Sequence, residues 1–347
     1  MADSPVLAPQ QNAGGCCSPE NPAQDPQNTD TVLGACVTDD SAAGCCNSAS
    51  PELDAGLPRQ TRIRSWETVP TAQQRPTLDH LPAPLQKIHR RWDRLVRLVG
   101  DDGVLALLQS HVTIFGLGGV GSYAAEALAR SAVGRMTLVD FDDVCLTNIN
   151  RQLQAFPGTV GQSKAQLLAA RVQAIHPEMW VDPVQAFYDH NTSDMLLTPR
   201  PDFVIDAIDN VTSKLLLLET CRAQGIPVIS ITGAGARLDP TRIRVDDLSR
   251  TKVDPLARVL RKELARRGIG SDTDFGIPVV YSDEDIREPE VPAWDQETGF
   301  QCICPHREDS PHACEKRRRI YGTATFMTAA FAMAAVSHVV RQLTHRN

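Results

Sequence analysis

The chain has 347 residues, 42% hydrophobic and 22% charged, which excludes a fibrous or wholly disordered protein and allows one large domain or two ordinary ones. Its formal charge of -7 is uneven, because residues 1–58 hold acids and no Lys or Arg, which leaves the rest close to neutral. A near-neutral body with local basic clusters does not exclude a nucleic-acid partner.

Residues 1–85 are dominated by Pro, Gly, Ala, Ser, Asn and Gln and show no period of 3.6 or 2. They hold too little apolar surface to offset the entropy of ordering, so they are expected to form a disordered acidic tail. Cys16, Cys17, Cys36, Cys45 and Cys46 lie there without His partners or a C-x-x-C spacing, so solvated thiols are favoured over a metal site or thiol exchange. Residues 1–58 lack the Arg of a mitochondrial presequence, and no apolar signal core follows Met1. A cytoplasmic location is expected, with association at a membrane or mitochondrial surface left open.

The folded domain is expected over 86–345. Gln86–Val99 reads as an amphipathic helix on Ile88, Trp92, Leu95 and Leu98, and Gly103–Gln109 as a second. His111–Phe115 is a short buried strand, followed by a glycine turn and the Ala-rich helix Ser122–Ser131. Met136–Val139 is a strand ending at Asp140. Phe203–Ile205 and Pro227–Ile231 are strands separated by the helix Val211–Gln224. Alternation of β and α elements predicts an α/β, Rossmann-like, doubly wound and mostly parallel sheet. Its nucleotide-binding core is expected over 110–235 and a substrate part with a terminal helix over 236–345. Asp254–Arg267 reads as a basic helix and 271–316 as a Pro- and acid-rich excursion or loop. Ile320–Val340 contains no Asp, Glu, Lys or Arg and approaches the length of a membrane span. Its threonines, His338 and alanines favour a core or dimer-interface helix instead, so no transmembrane span is expected.

The motifs sit on these elements. Gly116-Leu117-Gly118-Gly119-Val120-Gly121 joins strand to helix, where glycines let backbone N–H groups approach phosphate. Asp140, about twenty residues on, is placed to accept from ribose hydroxyls. This pair indicates a nucleotide without separating NAD from ATP; a plain glycine turn with a surface Asp is the bland alternative. Further on come Asp140-Phe141-Asp142-Asp143-Val144, Thr147-Asn148-Ile149-Asn150-Arg151, Gly161-Gln162-Ser163-Lys164 and Asp206-Ala207-Ile208-Asp209-Asn210.

Together these stretches resemble the ubiquitin-activating-like adenylyltransferase superfamily, which also charges sulfur-carrier proteins. The resemblance implies ATP and Mg²⁺ as cofactors, with a monovalent cation beside them. Gly119 and Asp140 would hold the nucleoside end, with Gly116, Gly118 and Gly121 completing the cofactor-binding loop, Asn148 and Arg151 the phosphates, and Lys164 the polyphosphate. Asp209 and Asn210 would meet magnesium and nucleotide. Elementary chemistry agrees, since adenylation moves negative charge onto pyrophosphate and Arg151 and Lys164 would put positive charge there. Asp209 suits Mg²⁺, which takes few carboxylates and shares phosphate oxygens. Taken singly, these residues have duller alternatives: an ion pair, a solvated lysine and a helix cap. In this superfamily an N-terminal arginine reaches the triphosphate of the partner subunit, which implies a homodimer; Arg94 and Arg97 are placed for it, or for plain solvation.

Two branches are open. Sulfur-carrier relatives hold a structural zinc on two C-x-x-C pairs, which this chain lacks; Cys302, Cys304 and Cys314, with His306 and His312, do not keep that spacing and read as loop thiols. The downstream segments Gly233-Ala234-Gly235, Asp239-Pro240-Thr241-Arg242-Ile243, Asp246-Asp247-Leu248-Ser249, Asp254-Pro255-Leu256-Ala257 and Gly322-Thr323-Ala324-Thr325 resemble the tRNA threonylcarbamoyladenosine dehydratases. That branch implies ATP-dependent adenylation of the threonyl carboxylate at position 37 of tRNA. Attack by the neighbouring ureido group then closes a ring, with a large proximity advantage. It also implies tRNA and a cysteine desulfurase system as partners. Arg258, Arg261, Lys262, Arg266 and Arg267 on the basic helix would meet tRNA phosphates, helped by Lys316-Arg317-Arg318-Arg319. Three rivals are weighed: activation of a ubiquitin-like or sulfur-carrier protein, a non-catalytic thiol-relay or scaffold, and a hydride-transferring dehydrogenase.

Overall fold

The five residues of His111–Phe115 are all buried, as the central strand of a sheet covered on both faces requires. In the computed structural model, which describes residues 90–270, 274–296, 303 and 320–344, this strand is β1. It pairs in parallel with β2 (Arg135–Val139) on one side and β4 (Phe203–Asp206) on the other. β3 (Trp180–Val184), β5 (Val228–Ile231), β6 (Ile243–Asp247) and β7 (Pro278–Ser282) complete a sheet in the order β3-β2-β1-β4-β5-β7-β6. Among the described strands of this sheet, only the β6–β7 pair is antiparallel. The first five strands run in the order 3-2-1-4-5 of the expected doubly wound sheet, and the strand order reverses between β1 and β4, which remain parallel.

Side chains alternate across the sheet and make two cores. Val112, Ile114, Phe203, Ile205, Ile229 and Ile231 face one layer, and Phe115, Val204, Val228 and Val279 the other. The first layer holds α1 (Asp93–Gln109), α2 (Gly119–Arg130), α3 (Lys164–Ile175) and α6 (Thr325–Thr344); the second holds α4 (Val211–Ala223) and α5 (Pro255–Arg266).

The break expected between the two leading helices is kept, at Gly100, whose backbone is non-helical with φ 75° inside α1; residues 86–89 lie outside the described residues. Several expectations are corrected. α2 begins inside the glycine motif at Gly119, three residues earlier than expected, because Gly118 already caps it. The 271–316 excursion contains β7, which lies between β5 and β6. α6 starts at Thr325 rather than Ile320, since the preceding residues serve other partners: Gly322 O accepts from Ala236 N at 2.7 Å and Thr323 O from Asn150 Nδ2 at 2.8 Å. The expected tail over 1–85, Cys302, Cys304, Cys314, His306, His312 and Lys316–Arg319 fall outside the described residues.

Among the described residues α6 is the one helix long and apolar enough to cross a membrane, with mean hydropathy 1.2. Met327, Phe331, Ala335 and Val339 recur on one face and are buried against α2 and the sheet, so it behaves as a core helix.

His176 ends α3 with its ring edge-on to Trp92 at 4.6 Å, and neither ring nitrogen has a partner. Burial pushes its pKa down from 6.5 to about 4. The unfolded chain therefore binds a proton below about pH 6.5 that the folded chain refuses until about pH 4, so stability falls as the pH drops through that window. Between pH 7 and pH 5, His176→Phe is expected to lose about 2 kcal/mol less stability than the parent, measured by urea unfolding.

Candidate active site

The chemistry gathers at the carboxyl ends of β1, β2 and β4, where the strand order reverses and open α/β sheets bind ligands. Gly116 turns the chain out of β1 with φ +86°, and a Cβ there would lie 2.6 Å from Ala207 O. At Gly121 a Cβ would lie 1.9 Å from Gly116 O, so the first turn of α2 can fold back only without a side chain. A Cβ on Gly118 would meet nothing nearer than Gln152 Nε2 at 3.8 Å. That face is open, and the free N–H groups at the start of α2 suit an incoming phosphate.

Asp140 holds this loop in place. Its Oδ2 accepts from Leu117 N at 2.6 Å and its Oδ1 from Asp142 N at 2.8 Å. Both oxygens thus already serve the backbone, and burial pushes the carboxyl pKa up. The crossover after β2 is stitched to the same loop: Gln154 Nε2 donates to Leu117 O at 2.8 Å, and Leu153 N to Ser122 Oγ at 3.3 Å. Gln152 Oε1, Gln154 Oε1 and Ser163 Oγ are buried here without a hydrogen-bond partner. Such orphaned polar atoms beside an open glycine face fit a site that binds a polar ligand.

Lys164 opens α3, where the helix dipole disfavours a cation, and it is only 5% exposed. Its Nζ lies 2.7 Å from Asp142 Oδ2. Burial works against its charge, but Asp140 and Asp142, with Asp209 behind them, outweigh this and hold the ammonium above the ordinary lysine range. A charged lysine is thereby kept ready in a dry site. Arg151, half-buried, donates to Thr147 O at 2.7 Å and to Asn150 Oδ1 at 3.0 Å. Asn148 is buried, and its Oδ1 accepts from Cys145 N at 2.9 Å, fixing the turn that presents Arg151.

Asp209 and Asn210 follow β4. Asn210 caps α4 by accepting from Ser213 N at 3.0 Å, and Asp209 is exposed. Among the described residues no three His, Cys, Asp or Glu cluster to hold a metal. A single exposed carboxylate still fits Mg²⁺ that shares phosphate oxygens.

The structure therefore brings Gly116, Gly118, Gly119, Gly121, Asp140, Asn148, Arg151, Lys164, Asp209 and Asn210 to one edge. Arg94 is not among them. It lies on α1 near Arg91, which is 2.7 Å from Glu178 just before β3, at the edge where the strands begin. The four cations of α5, with Arg267 just after it, also stand apart. α5 starts at the ligand edge, where Asp254 pairs with Arg237 beyond β5, and runs back along the sheet. Arg261 turns inward to Thr251, Arg266 pairs with Glu263 and Arg267 with Glu219. Arg258 and Lys262 remain exposed.

Sequence reasoning assigned no role to Asp142, Gln152, Gln154 or the buried pair Asp206–Lys214. Asp142 was within reach of it: a second carboxylate two residues after Asp140, ahead of a lone lysine.

The ThiF family model matches residues 92–347. The chain is 37% identical over 257 residues to tRNA threonylcarbamoyladenosine dehydratase of Escherichia coli, covering 73% of this chain and 93% of that protein. It is 46% identical over 186 residues to the protein of the same name from Bacillus subtilis, covering 54% and 72%. The Escherichia coli dehydratase solved in complex with ATP superposes with TM-score 0.63 at 35% identity, over 74% of this chain and 94% of that one.

Proposed function

Because the chain belongs to the ThiF family and, within it, to the tRNA threonylcarbamoyladenosine dehydratases, we propose that Arg151, Lys164 and Asp209 carry its adenylation step. The chain is an ATP-dependent enzyme that dehydrates threonylcarbamoyladenosine in tRNA. The observation that carries the residue assignment is the charged, nearly dry Lys164 beside an open glycine loop and the exposed Asp209.

A threonyl carboxylate oxygen attacks the α-phosphorus of ATP, and pyrophosphate leaves with the bond to that phosphorus. Charge grows on the departing oxygens, where Lys164 and Arg151 offer fixed cations. Mg²⁺ would be held by Asp209 and the phosphates, and when bound supplies charge neutralisation. The ureido group then attacks the acyl carbon, the acyl–oxygen bond breaks toward AMP, and the ureido proton is released. Both groups belong to one residue, so ring closure needs mainly an oriented carbonyl. The backbone amides opening α2 and the side chain of Asn148 keep the nucleotide in register. The same proposal includes a monovalent cation beside the nucleotide, a cysteine desulfurase system as partner and a cytoplasmic location.

A second copy of the chain belongs to the same proposal. Arg94 lies away from its own glycine loop and would serve a partner's triphosphate, and Phe326 and Met333 give α6 an exposed apolar face, 49% and 45% exposed. For tRNA, Arg258 and Lys262 are the docking pair. They stand one helical turn apart about the middle of α5, about 6 Å along the axis. Arg258→Ala with Lys262→Ala is expected to weaken tRNA binding and flatten its salt slope by about one to two units, with ATP affinity unchanged. An unchanged slope over a salt series removes the assignment.

Mass spectrometry of tRNA nucleosides tests the activity. With ATP, the threonylcarbamoyl nucleoside should lose one water. An unchanged nucleoside together with an adenylated carrier protein would move the chain to carrier activation.

A further inference from the structure

Lys214 and Asp206 form an ion pair at 2.9 Å with both side chains fully shielded from solvent. Neither touches the open glycine face, yet their bonds define the loop that carries Asp209. Lys214 Nζ donates to Ile208 O at 3.0 Å and to Asp206 O at 3.4 Å in addition to the carboxylate. An ammonium has three donors, and here all three are spent on one five-residue loop. Asp206 Oδ1 accepts from Ile208 N at 3.1 Å, and its Oδ2 accepts from Ser230 Oγ at 2.7 Å, which ties the loop to β5. On the outer side the same loop presses on the nucleotide turn, where a Cβ on Gly116 would meet Ala207 O at 2.6 Å. The charge on Lys214 is thus clamped under the backbone that holds Asp209 opposite Lys164.

We propose that Lys214 is a positioning residue for adenylation, which through the 206–210 loop sets where the Asp209 carboxylate meets the metal-bound phosphates. A helix cap alone would have sufficed to start α4, and Asn210 already provides one. A buried cation adds a fixed register between β4, β5 and the glycine turn. This rests on the reading of Asp209 as the carboxylate that holds Mg²⁺.

The test compares ATP affinity with and without Mg²⁺, by calorimetry, in the parent, in Asp209→Asn and in two Lys214 variants. Lys214→Arg keeps the charge but not the geometry of two carbonyls and one carboxylate. Asp206→Asn with Lys214→Met removes both charges, so no buried charge is left unpaired and the fold is kept. AMP affinity and thermal unfolding are read alongside. In both Lys214 variants the Mg²⁺ concentration giving half the gain in ATP affinity is expected to rise about tenfold or more, as in Asp209→Asn, because groups that orient a metal ligand carry roughly that factor. AMP affinity should stay within about threefold, since the glycine loop and Asp140 are untouched. Parent-like Mg²⁺ dependence in a folded Lys214 variant, with Asp209→Asn impaired, overturns this inference alone. Parent-like behaviour in Asp209→Asn overturns the role of Asp209 and this inference with it. Equal fractional losses of AMP and ATP affinity would show a general collapse of the site and also overturn it.

Discussion

Lys164→Ala is expected to reduce ATP–pyrophosphate exchange, assayed with substrate tRNA present, by about 10²-fold or more. The loss should appear in kcat rather than in ATP affinity. The ammonium is paired with Asp142 at rest, so its advantage appears when negative charge grows on the leaving pyrophosphate. Asp209→Ala is expected to fall by a similar factor. Lys164→Arg should recover little, because the site around the ammonium is tight and a guanidinium is planar and larger. Near-parent exchange in both alanine variants would remove these residues from the chemistry.

Much of that site is legible in the sequence, and the reason is local. Gly116, Gly118, Gly119 and Gly121 punctuate a strand–helix junction, and Asp140 ends the next strand, so spacing alone places them together. Lys164 is legible as a residue but not as a buried one. Its partner Asp142 sits in an acidic run whose members face different ways, which no period distinguishes. Lys214 is hidden for the opposite reason: within Val211–Ala223 a single lysine reads as the solvated face of a helix, and only the tertiary fold turns it under the β4 loop. The strands that escape sequence reasoning are β3, β6 and β7. β3 and β6 are sheet edges, and Pro183 in one and Arg244, Asp246 and Asp247 in the other are the residues by which edges avoid further pairing. β7 is an interior strand, concealed because Pro- and acid-rich loop flanks it. Helix α3 is a different case: Ala165, Leu168, Ala169 and Val172 form a readable stripe, passed over beside the Gly161–Lys164 motif.

Asp254→Ala is expected to be strongly destabilising. Asp254 Oδ2 lies 2.8 Å from Arg237 Nη2 and accepts from Thr232 Oγ1 at 3.0 Å, while Oδ1 caps α5 through Ala257 N at 2.8 Å. Both side chains of the pair are 1% exposed. Removing the carboxylate leaves a guanidinium buried without a counter-charge, which costs about 3–5 kcal/mol, and forfeits a cap worth about 1 kcal/mol. The residues just before the pair, Ala236 and Val253, have φ of 62° and 66°, a left-handed conformation that a β-branched side chain strongly resists. The pair therefore holds two strained turns closed as well. Thermal unfolding should shift down by roughly 8–24 °C, at about 2–4 °C per kcal/mol for a domain of this size. Asp254→Asn keeps the cap and should lose less, whereas Val253→Gly should gain about 1 kcal/mol by releasing the strain. A shift of under about 3 °C in Asp254→Ala would mean that the pair contributes little.

The central claim is that dehydration proceeds through an acyl-adenylate formed at the glycine-loop edge. The measurement that tests it most directly follows an ¹⁸O label from the threonyl carboxylate of the tRNA substrate during a single turnover with ATP. If the carboxylate attacks the α-phosphorus and ring closure expels AMP, one labelled oxygen must leave on the AMP phosphate, and the cyclised nucleoside keeps the other. Label appearing in inorganic phosphate, with ADP formed in place of AMP, or cyclised nucleoside accompanied by unlabelled AMP, would contradict the account.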